Sequence, residues 1–394
     1  MSDGDSRVFG LDLLRALAVL FVVYAHGYFL IANNVSGTLY NLAVFDGVTM
    51  FFVLSGFLIG RILLRTVAKD EFNWQMLAEF WVRRWFRTLP NYFAVLTFLI
   101  IAFYLLGRPQ PEHLLRYFFF SQNIASPHPE FFPELWSLTI EEWFYLCIPI
   151  PLYLSTKLRN FDRRRLMLFW IASVIVLVTG FRIYRAYRFG YATVDDWDVA
   201  LRKQVLTRLD SLMFGVFGAY LSLYHQRLWR DIAGLALLVG VSLLLFDKVM
   251  HSTSSKMFYL NYINLTLTAV ATLLLLPMLS SWKRHSGRLA GIVTFVSLTS
   301  YSMYLLNLSP VQMVILPFVM RTVSQFCWRC SQSPLLGYIL YWVVTVTGSF
   351  LLYRYFERPM TALREKWHFR GKAVETAFSV PTSEEVRAKP GARA

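Results

Sequence analysis

A histidine lies inside the first hydrophobic segment of this chain, LDLLRALAVLFVVYAHGYFLI, where His26 is surrounded by apolar residues. An ionisable side chain is costly in a segment long enough to cross a bilayer, so it suggests a site. Imidazole is the side chain best suited to take a proton from a hydroxyl near neutral pH. Asp12 and Arg15 share the segment, and the step from Arg15 to His26 returns to the same helical face. His26 is therefore a candidate base, or else a hydrogen-bond partner for a neighbouring helix.

Two carboxylates enter a later hydrophobic segment, FPELWSLTIEEWFYL. Ser137, Glu141 and Tyr145 are spaced four residues apart and form one stripe on a helix. Glu141 is expected at about the depth of His26. A glutamate in contact with that histidine would fix its tautomer and raise its basicity. The equally weighted alternative is that Glu141 pairs with an arginine and locks two helices together.

Three arginines in FWVRRWFRTLPNYF form a second charged group. Arg87 shares a helical face with both Arg83 and Arg84, so three guanidinium groups are expected to converge. Such a cluster is suited to phosphate oxygens, which guanidinium groups bind in pairs. The alternative is that these arginines follow the preference of cytoplasmic helix ends and anionic lipid headgroups for positive charge.

Smaller polar groups accompany these three. Ser55 and Gly56 lie in GVTMFFVLSGFLIG, whose small residues favour close helix packing and could also leave room for a narrow substrate arm. Arg208 and Asp210 begin another apolar segment, and Asn307 lies within a further one. Because Arg208 and Asp210 are two residues apart, we expect their partners on other helices. These side chains could line an acceptor site or tie the bundle together.

The elements that must position these groups are membrane helices. The chain is 56% hydrophobic and 17% aromatic over 394 residues, too apolar for a soluble fold and too long for one span. Continuous apolar runs exclude the alternating pattern of a membrane barrel. We predict an all-α, polytopic membrane bundle of about ten transmembrane helices, near residues 11–31, 42–64, 88–106, 135–155, 166–187, 209–224, 231–247, 259–279, 291–318 and 335–355.

The positive residues predict the orientation. With both termini in the cytoplasm, most of the 39 Lys and Arg residues fall on the cytoplasmic side. The net charge of +15 thus reflects topology and is no sign of nucleic-acid binding. The connection near residues 182–208 departs from the rule, because it is assigned outside and yet carries five basic residues beside three acidic ones: Arg182, Arg185, Arg188, Arg202, Lys203, Asp195, Asp196 and Asp198. A charged external vestibule or a misplaced helix would explain it.

The chain is expected to form one membrane domain, residues 1–370, followed by a flexible cytoplasmic tail, residues 371–394. The first apolar segment is predicted to remain as a helix, because it lacks the features of a cleaved signal peptide. Cys327 and Cys330 form a CWRC pair in the last external loop, either as a disulfide or as two thiols. No metal site and no permanently bound cofactor are expected.

The ordered motifs LDLLRALAVLFVVYAH, FFVLSGFLIG, RRWFRTLPNY, LWSLTIEEWFYL, RLDSLMFG and SYSMYLLN resemble the membrane acyltransferase 3 family. The resemblance runs from about residue 11 to the YFERP segment at 355–359. Members of this family are helical membrane proteins that move acyl groups, usually acetyl from cytoplasmic acetyl-CoA, to sugar hydroxyls. The resemblance therefore implies a multi-pass O-acyltransferase of the cell membrane.

The resemblance also implies site residues. His26 matches the catalytic histidine and Arg15 the arginine that precedes it, while Glu141 matches the glutamate of the WSL motif. Arg84 and Arg87 match the paired arginines assigned to the acyl-CoA donor, and Arg83 is taken with them. The supporting residues are expected to be Asp12, Arg15, Ser55, Tyr145, Arg208, Asp210 and Asn307.

Two departures from the family are visible. Many relatives have a histidine where this chain has Asn307, and this chain is expected to lack the external hydrolase-like domain fused to some members. The expected partners are acyl-CoA, a glycan or lipid-linked sugar acceptor, membrane lipids and envelope glycan assembly machinery, with no nucleic acid. The alternative from another class is a proton-coupled transporter or flippase that uses the same buried charges.

Overall fold

The computed structural model describes residues 7–67, 72–157, 161–251, 253, 255–283 and 287–363. Within these ranges the chain forms helices and no strand, which confirms the predicted all-α fold. The predicted tail, residues 371–394, lies outside the described residues.

All ten predicted segments are helical, and eight of the described helices are long and apolar enough to cross a membrane. The ten are α1 Phe9–Leu30, α2 Gly47–Val67, α3 Trp74–Leu105, α4 Leu135–Cys147, α5 Arg163–Phe189, α6 Leu209–Tyr224, α7 Ala233–Met250, α8 Lys256–Ser281, α9 Arg288–Phe326 and α10 Pro334–Leu363. Short helices lie between them at Gly37–Ala43, Leu114–Phe118, Pro149–Ser155, Val194–Trp197, Gln226–Asp231 and Trp328–Ser331, with single turns at Asp198–Arg202 and Val205–Thr207.

Two of the predicted spans are shorter than the other eight. Helix α6 has 16 residues and is apolar throughout most of its length. The predicted segment 135–155 is broken into α4, of 13 residues, and the separate helix Pro149–Ser155. The break has a local cause, because Pro149 has no N–H to continue the helical hydrogen bonds after Ile148.

Contacts between particular helix ends define two faces of the bundle. The N–H of Phe9 donates to the carbonyl oxygen of Lys283 over 3.2 Å, which joins the start of α1 to the end of α8. At the other end of the bundle, Arg202 contacts Asp46 at 3.6 Å. We call the face that holds Phe9 the proximal face and the face that holds His26 and Asp46 the distal face.

Helices α2 and α6 pack with their backbones in contact. A Cβ atom built on Gly56 would lie 1.9 Å from the carbonyl oxygen of Leu212, and one built on Gly60 would lie 3.0 Å from the Cβ of Ala219. These two glycines therefore serve close packing, as small residues do between membrane helices. Ser55 lies beside this seam and bonds to a different helix, as described below.

The main core lies between α1, α2, α6 and α8, with Leu14, Phe52, Leu212 and Leu276 fully buried. A second apolar cluster joins α3, α4 and α9. The two clusters meet at α4, which carries Glu141 and Tyr145, and at α9, which carries Asn307.

Candidate active site

His26 lies near the distal end of α1 and is attached to α9 twice. Its ring Nδ1 lies 2.5 Å from Asn307 Oδ1, and its backbone carbonyl accepts a hydrogen bond from Gln312 Nε2 over 2.6 Å. Helix α10 supports the same region, because the Tyr341 hydroxyl donates to the carbonyl of Val23 over 2.9 Å. The side-chain partner of His26 is therefore the amide of Asn307 on α9.

The part of α9 that holds His26 departs from regular α-helix. Residues Asn307–Ile315 form a π-helical stretch that contains Pro310. Ser309 is drawn toward the start of α4, since its N–H and its hydroxyl donate to the two carboxylate oxygens of Glu134 over 2.8 and 2.6 Å. Widened turns of this kind are common at functional sites. Glu134 was not among the predicted site residues, although a charged residue directly before an apolar segment is visible in the sequence.

The predicted stripe on α4 is divided between two neighbours. The Ser137 hydroxyl lies 2.6 Å from the Tyr304 hydroxyl, which itself donates to the carbonyl of Glu134 over 2.7 Å. Ser137 must therefore be the donor in the first of these bonds. This end of the stripe belongs to the contact between α4 and α9, beside His26.

Glu141 occupies a different position from the one that would let it fix His26. Its carboxylate accepts hydrogen bonds from Ser55 over 3.2 Å and from Tyr145 over 3.0 Å, and none from the His26 ring. Arg84 and Arg87 are close enough to interact with it electrostatically. The structure therefore groups Glu141 with the arginines of α3, whereas Asn307 holds the histidine.

The three arginines of α3 have different surroundings. Arg83 donates to Glu79 through Nε over 2.8 Å and through Nη2 over 2.5 Å, so a carboxylate one turn back holds it. The Arg84 guanidinium lies 6.0 Å from the centre of the Phe80 ring, and Arg87 is exposed. Arg84 and Arg87 thus share an electrostatic interaction with Glu141, whereas Arg83 is bound to Glu79. The four-residue spacing from Glu79 to Arg83 in the sequence already favours this pair on a helix.

A carboxylate from the last described helix, that of Glu357, contacts α3 one helical turn beyond Arg87. Glu357 accepts hydrogen bonds from Asn91 Nδ2 over 2.9 Å and from Ser302 Oγ over 2.6 Å, joining α3, α9 and α10. It also interacts electrostatically with Arg87. This residue lies in the YFERP segment and was not among the predicted site residues.

Asp12 and Arg15 are near the proximal end of α1. Asp12 accepts hydrogen bonds from Arg7 over 2.8 and 3.0 Å and from Ser297 over 2.7 Å, and it lies 3.6 Å from Arg15. The Arg15 side chain is 19% exposed and interacts electrostatically with Arg87 of α3. The rise of an α-helix places His26 about 16 Å farther along α1 than Arg15.

Arg208 and Asp210 hold helices together, which was one of the two interpretations of the sequence. The fully buried Arg208 donates to Thr49 of α2 over 2.7 Å. Asp210 pairs with Arg182 of α5 at 2.7 Å and accepts a hydrogen bond from Thr179. As predicted, their partners lie on other helices.

A charged cluster covers the distal side of His26. Arg202 pairs with Asp198 at 2.7 Å and with Asp46 at 3.6 Å, and its guanidinium lies 5.1 Å from the Trp136 ring centre. Lys203 also pairs with Asp198. Arg202, Lys203 and Asp198 belong to the connection predicted as an external vestibule, whereas Asp46 and Trp136 were not predicted there. Arg182, from the same connection, is buried and pairs with Asp210 instead.

Asp46 is the carboxylate on which this cluster depends. Burial alone would raise the pKa of Asp46, but the charges of Arg202 and Arg208 and hydrogen bonds from Thr49 lower it to about 2. Its Oδ1 accepts the N–H groups of Val48 and Thr49 at the start of α2, each over 3.1 Å. Asp46 therefore remains ionised at neutral pH and anchors both α2 and Arg202. Both Arg202 and Lys203 are close enough to interact electrostatically with His26.

Cys327 and Cys330 form a disulfide, which decides between the two states considered for the CWRC pair. Within the described ranges no group of three or more His, Cys, Asp or Glu side chains is arranged to hold a metal ion.

Comparison with known proteins identifies the family of this chain. The family model described as an acyltransferase domain matches residues 8–354, so the chain belongs to the acyltransferase 3 family. The family fits the observed architecture, an all-α bundle with eight helices long and apolar enough to cross a membrane among the described residues. No solved structure gives a significant match.

Several curated bacterial proteins are similar over part of the chain. A putative peptidoglycan O-acetyltransferase of Bacillus subtilis, YrhL, is 33% identical over 46% of this chain and 29% of its own length. The peptidoglycan O-acetyltransferase OatA of Listeria monocytogenes is 32% identical over 37% of this chain and 24% of its own length. A putative O-acetyltransferase of Staphylococcus aureus is 30% identical over 54% and 34%, respectively. The matches thus span about a quarter to a third of these relatives.

Proposed function

We propose that this protein is an O-acetyltransferase of the cell membrane. It moves an acetyl group from cytoplasmic acetyl-CoA to a hydroxyl of a cell-envelope or exported glycan or glycolipid. His26 acts as the base or as a transient acyl carrier. The acceptor part of this proposal is supported by the peptidoglycan O-acetyltransferases among the relatives, each similar over part of its length.

The observation that carries the proposal is a polar row inside an apolar bundle. The row consists of four side chains that are partly or largely exposed although apolar helices surround them: Arg87, Arg15, Glu141 and His26. Charged side chains within membrane helices are normally retained for a pathway or a site. In this row the positive charges lie toward the proximal face, and the histidine lies at the distal face.

The row is suited to coenzyme A. Arg84 and Arg87 could bind the phosphates of the nucleotide by bidentate hydrogen bonds. The long, thin pantetheine arm would then run along α1 toward His26. Because positive residues are enriched on the cytoplasmic side of membrane proteins, we propose that the proximal face and both termini are cytoplasmic. A transporter has no evident use for a nucleotide site at this face.

The acceptor would approach from the distal face. The cluster of Asp46, Asp198, Arg202 and Lys203 borders His26 there and supplies donors and acceptors for sugar hydroxyls. Membrane lipids and envelope glycan assembly machinery are the proposed partners on this side.

The test is transfer of label from radiolabelled acetyl-CoA to a crude extract of envelope glycolipid and polysaccharide. Purified wild type, His26→Ala and a control, His251→Ala, are compared. His251 also lies at the distal face, but its ring bonds to the carbonyl of Asp247 at the end of α7. The expected result is a base-labile ester with wild type and His251→Ala and none with His26→Ala.

Two other outcomes would decide against parts of the proposal. Wild-type turnover by His26→Ala would remove the catalytic assignment of that residue. Neither transfer nor acetyl-CoA binding by wild type, together with solute flux in liposomes, would support the transporter instead. Acetyl-CoA binding is measured separately as protection in a thermal melt.

A further inference from the structure

The amide of Asn307 has only one orientation that satisfies its hydrogen bonds. The residue is fully buried, and its Nδ2 donates to the carbonyl oxygens of Met303 over 3.0 Å and of Tyr304 over 2.7 Å. Turning the amide over would place Oδ1 against these two carbonyl oxygens, and oxygens without hydrogens repel one another. Both amide hydrogens are therefore committed, and Oδ1 faces the His26 ring.

This orientation decides where the proton of His26 resides. Oδ1 of an amide accepts hydrogen bonds and cannot donate them, so Nδ1 of His26 must be the donor across the 2.5 Å contact. A neutral imidazole carries one N–H, and the second ring nitrogen then has a free lone pair. The Tyr341 hydroxyl does not compete, because it lies 3.5 Å from Oδ1 and donates to Val23 instead.

We infer that Asn307 is a positioning residue that sets the tautomer of His26, with Nδ1 protonated and Nε2 as the reactive atom. This inference rests on the proposed function for its catalytic meaning, but the tautomer itself is independent of it.

With this tautomer, the acetyl group can pass directly from the thioester to the acceptor hydroxyl. Nε2 takes the proton of the acceptor hydroxyl, and the hydroxyl oxygen forms a bond to the carbonyl carbon of the thioester. The carbon–sulfur bond breaks, and the departing thiolate takes the proton from Nε2. Asn307 Oδ1 accepts from Nδ1–H throughout and so stabilises the imidazolium present between these two proton transfers.

Among the described residues, no other interaction found at the His26 ring favours the opposite tautomer. Arg202 and Lys203 are the charged residues that interact with the ring, and both disfavour an additional positive charge on it. Gln312, on the same stretch of α9, bonds to the backbone of His26 and not to its ring. The side-chain partner of the ring is therefore Asn307.

The direct test is nitrogen NMR of the purified protein labelled with ¹⁵N-histidine. The His26 signals are identified as those lost in His26→Gln. We expect a protonated-type Nδ1 and an unprotonated-type Nε2 at neutral pH in the wild type. The reverse pattern would overturn the inference. This measurement needs no substrate, so it remains decisive even if the protein fails to transfer acetyl groups.

The kinetic test uses two variants at the same position. Asn307→Leu removes the acceptor, and we expect kcat to fall about 100-fold while the KM for acetyl-CoA changes little. Asn307→Asp keeps an acceptor and adds a negative charge that favours the imidazolium. The acid limb of its pH–activity profile should therefore move up by about one pH unit or more.

A control separates positioning from loss of structure. Asn261 is also buried in a helix and donates to the carbonyl of Tyr191, away from the His26 ring. Asn261→Leu should retain the wild-type acid limb and the wild-type His26 spectrum. If both Asn307 variants bind acetyl-CoA and retain the wild-type kcat and acid limb, Asn307 has no positioning role.

Discussion

The backbone N–H of Ser309 donates to the carboxylate of Glu134 over 2.8 Å, and this bond fastens the π-helical stretch of α9 to the start of α4. The same stretch begins at Asn307, which contacts His26. The geometry of the histidine thus depends on a carboxylate from a third element.

Replacing Glu134 should weaken both the fold and the site. Glu134→Ala leaves the buried N–H and hydroxyl of Ser309 without an acceptor, and we expect the free energy of unfolding to fall by about 2 kcal/mol. Glu134→Gln keeps one side-chain oxygen as an acceptor and should lie between Ala and wild type. Thermal melts in detergent measure the difference. A Glu134→Ala melt equal to that of wild type would show that the bond contributes nothing to stability.

The arginines of α3 should differ in their effect on the donor. Arg84→Ala combined with Arg87→Ala removes charge-assisted bonds to phosphate, so the KM for acetyl-CoA should rise about tenfold or more. Arg83→Ala is the matched control, because Glu79 already holds that side chain. Its KM should rise less than that of the double variant. Equal KM values for the control and the double variant would contradict the separate roles proposed for Arg83 and for Arg84 with Arg87.

Asp46 should contribute to stability in a pH-dependent way. Its pKa of about 2 in the folded protein lies below the usual value for an unfolded chain, about 3.9. The stabilisation is therefore complete above about pH 4 and is lost as the pH falls toward 2. Asp46→Asn should melt below wild type at pH 6, and the two melting temperatures should converge as the pH falls from 4 to 2. A constant difference over that range would contradict this account.

The close contact between α2 and α6 should leave no room for a larger side chain at Gly56. Gly56→Ala places Cβ against the backbone of Leu212, which cannot move as a side chain can, and we expect a loss of about 2 kcal/mol in stability. Gly180→Ala is the control, because a Cβ there meets no atom within 4 Å. Its stability should stay within about 0.5 kcal/mol of wild type. Thermal melts of both variants, with insertion checked by membrane extraction, measure the effect.

The sequence by itself determined the class of fold and most of the chemistry-bearing residues. Ten hydrophobic runs predict a helix bundle because a membrane requires each spanning segment to be both apolar and hydrogen-bonded internally. His26, Glu141, Arg84 and Arg87 stand out for the same reason, since a charged group among apolar residues is costly unless it has a use.

The tertiary structure alone decided which of these groups meet. Glu141 and His26 were expected at similar depth, yet helix rotation directs Glu141 to Ser55 and Tyr145, while α9 brings Asn307 to the histidine. Depth follows from counting residues along one helix. Which side chains contact one another depends on how helices distant in the sequence rotate and pack. It also depends on irregular turns, such as the one that begins at Asn307. Residue spacing along one helix encodes neither.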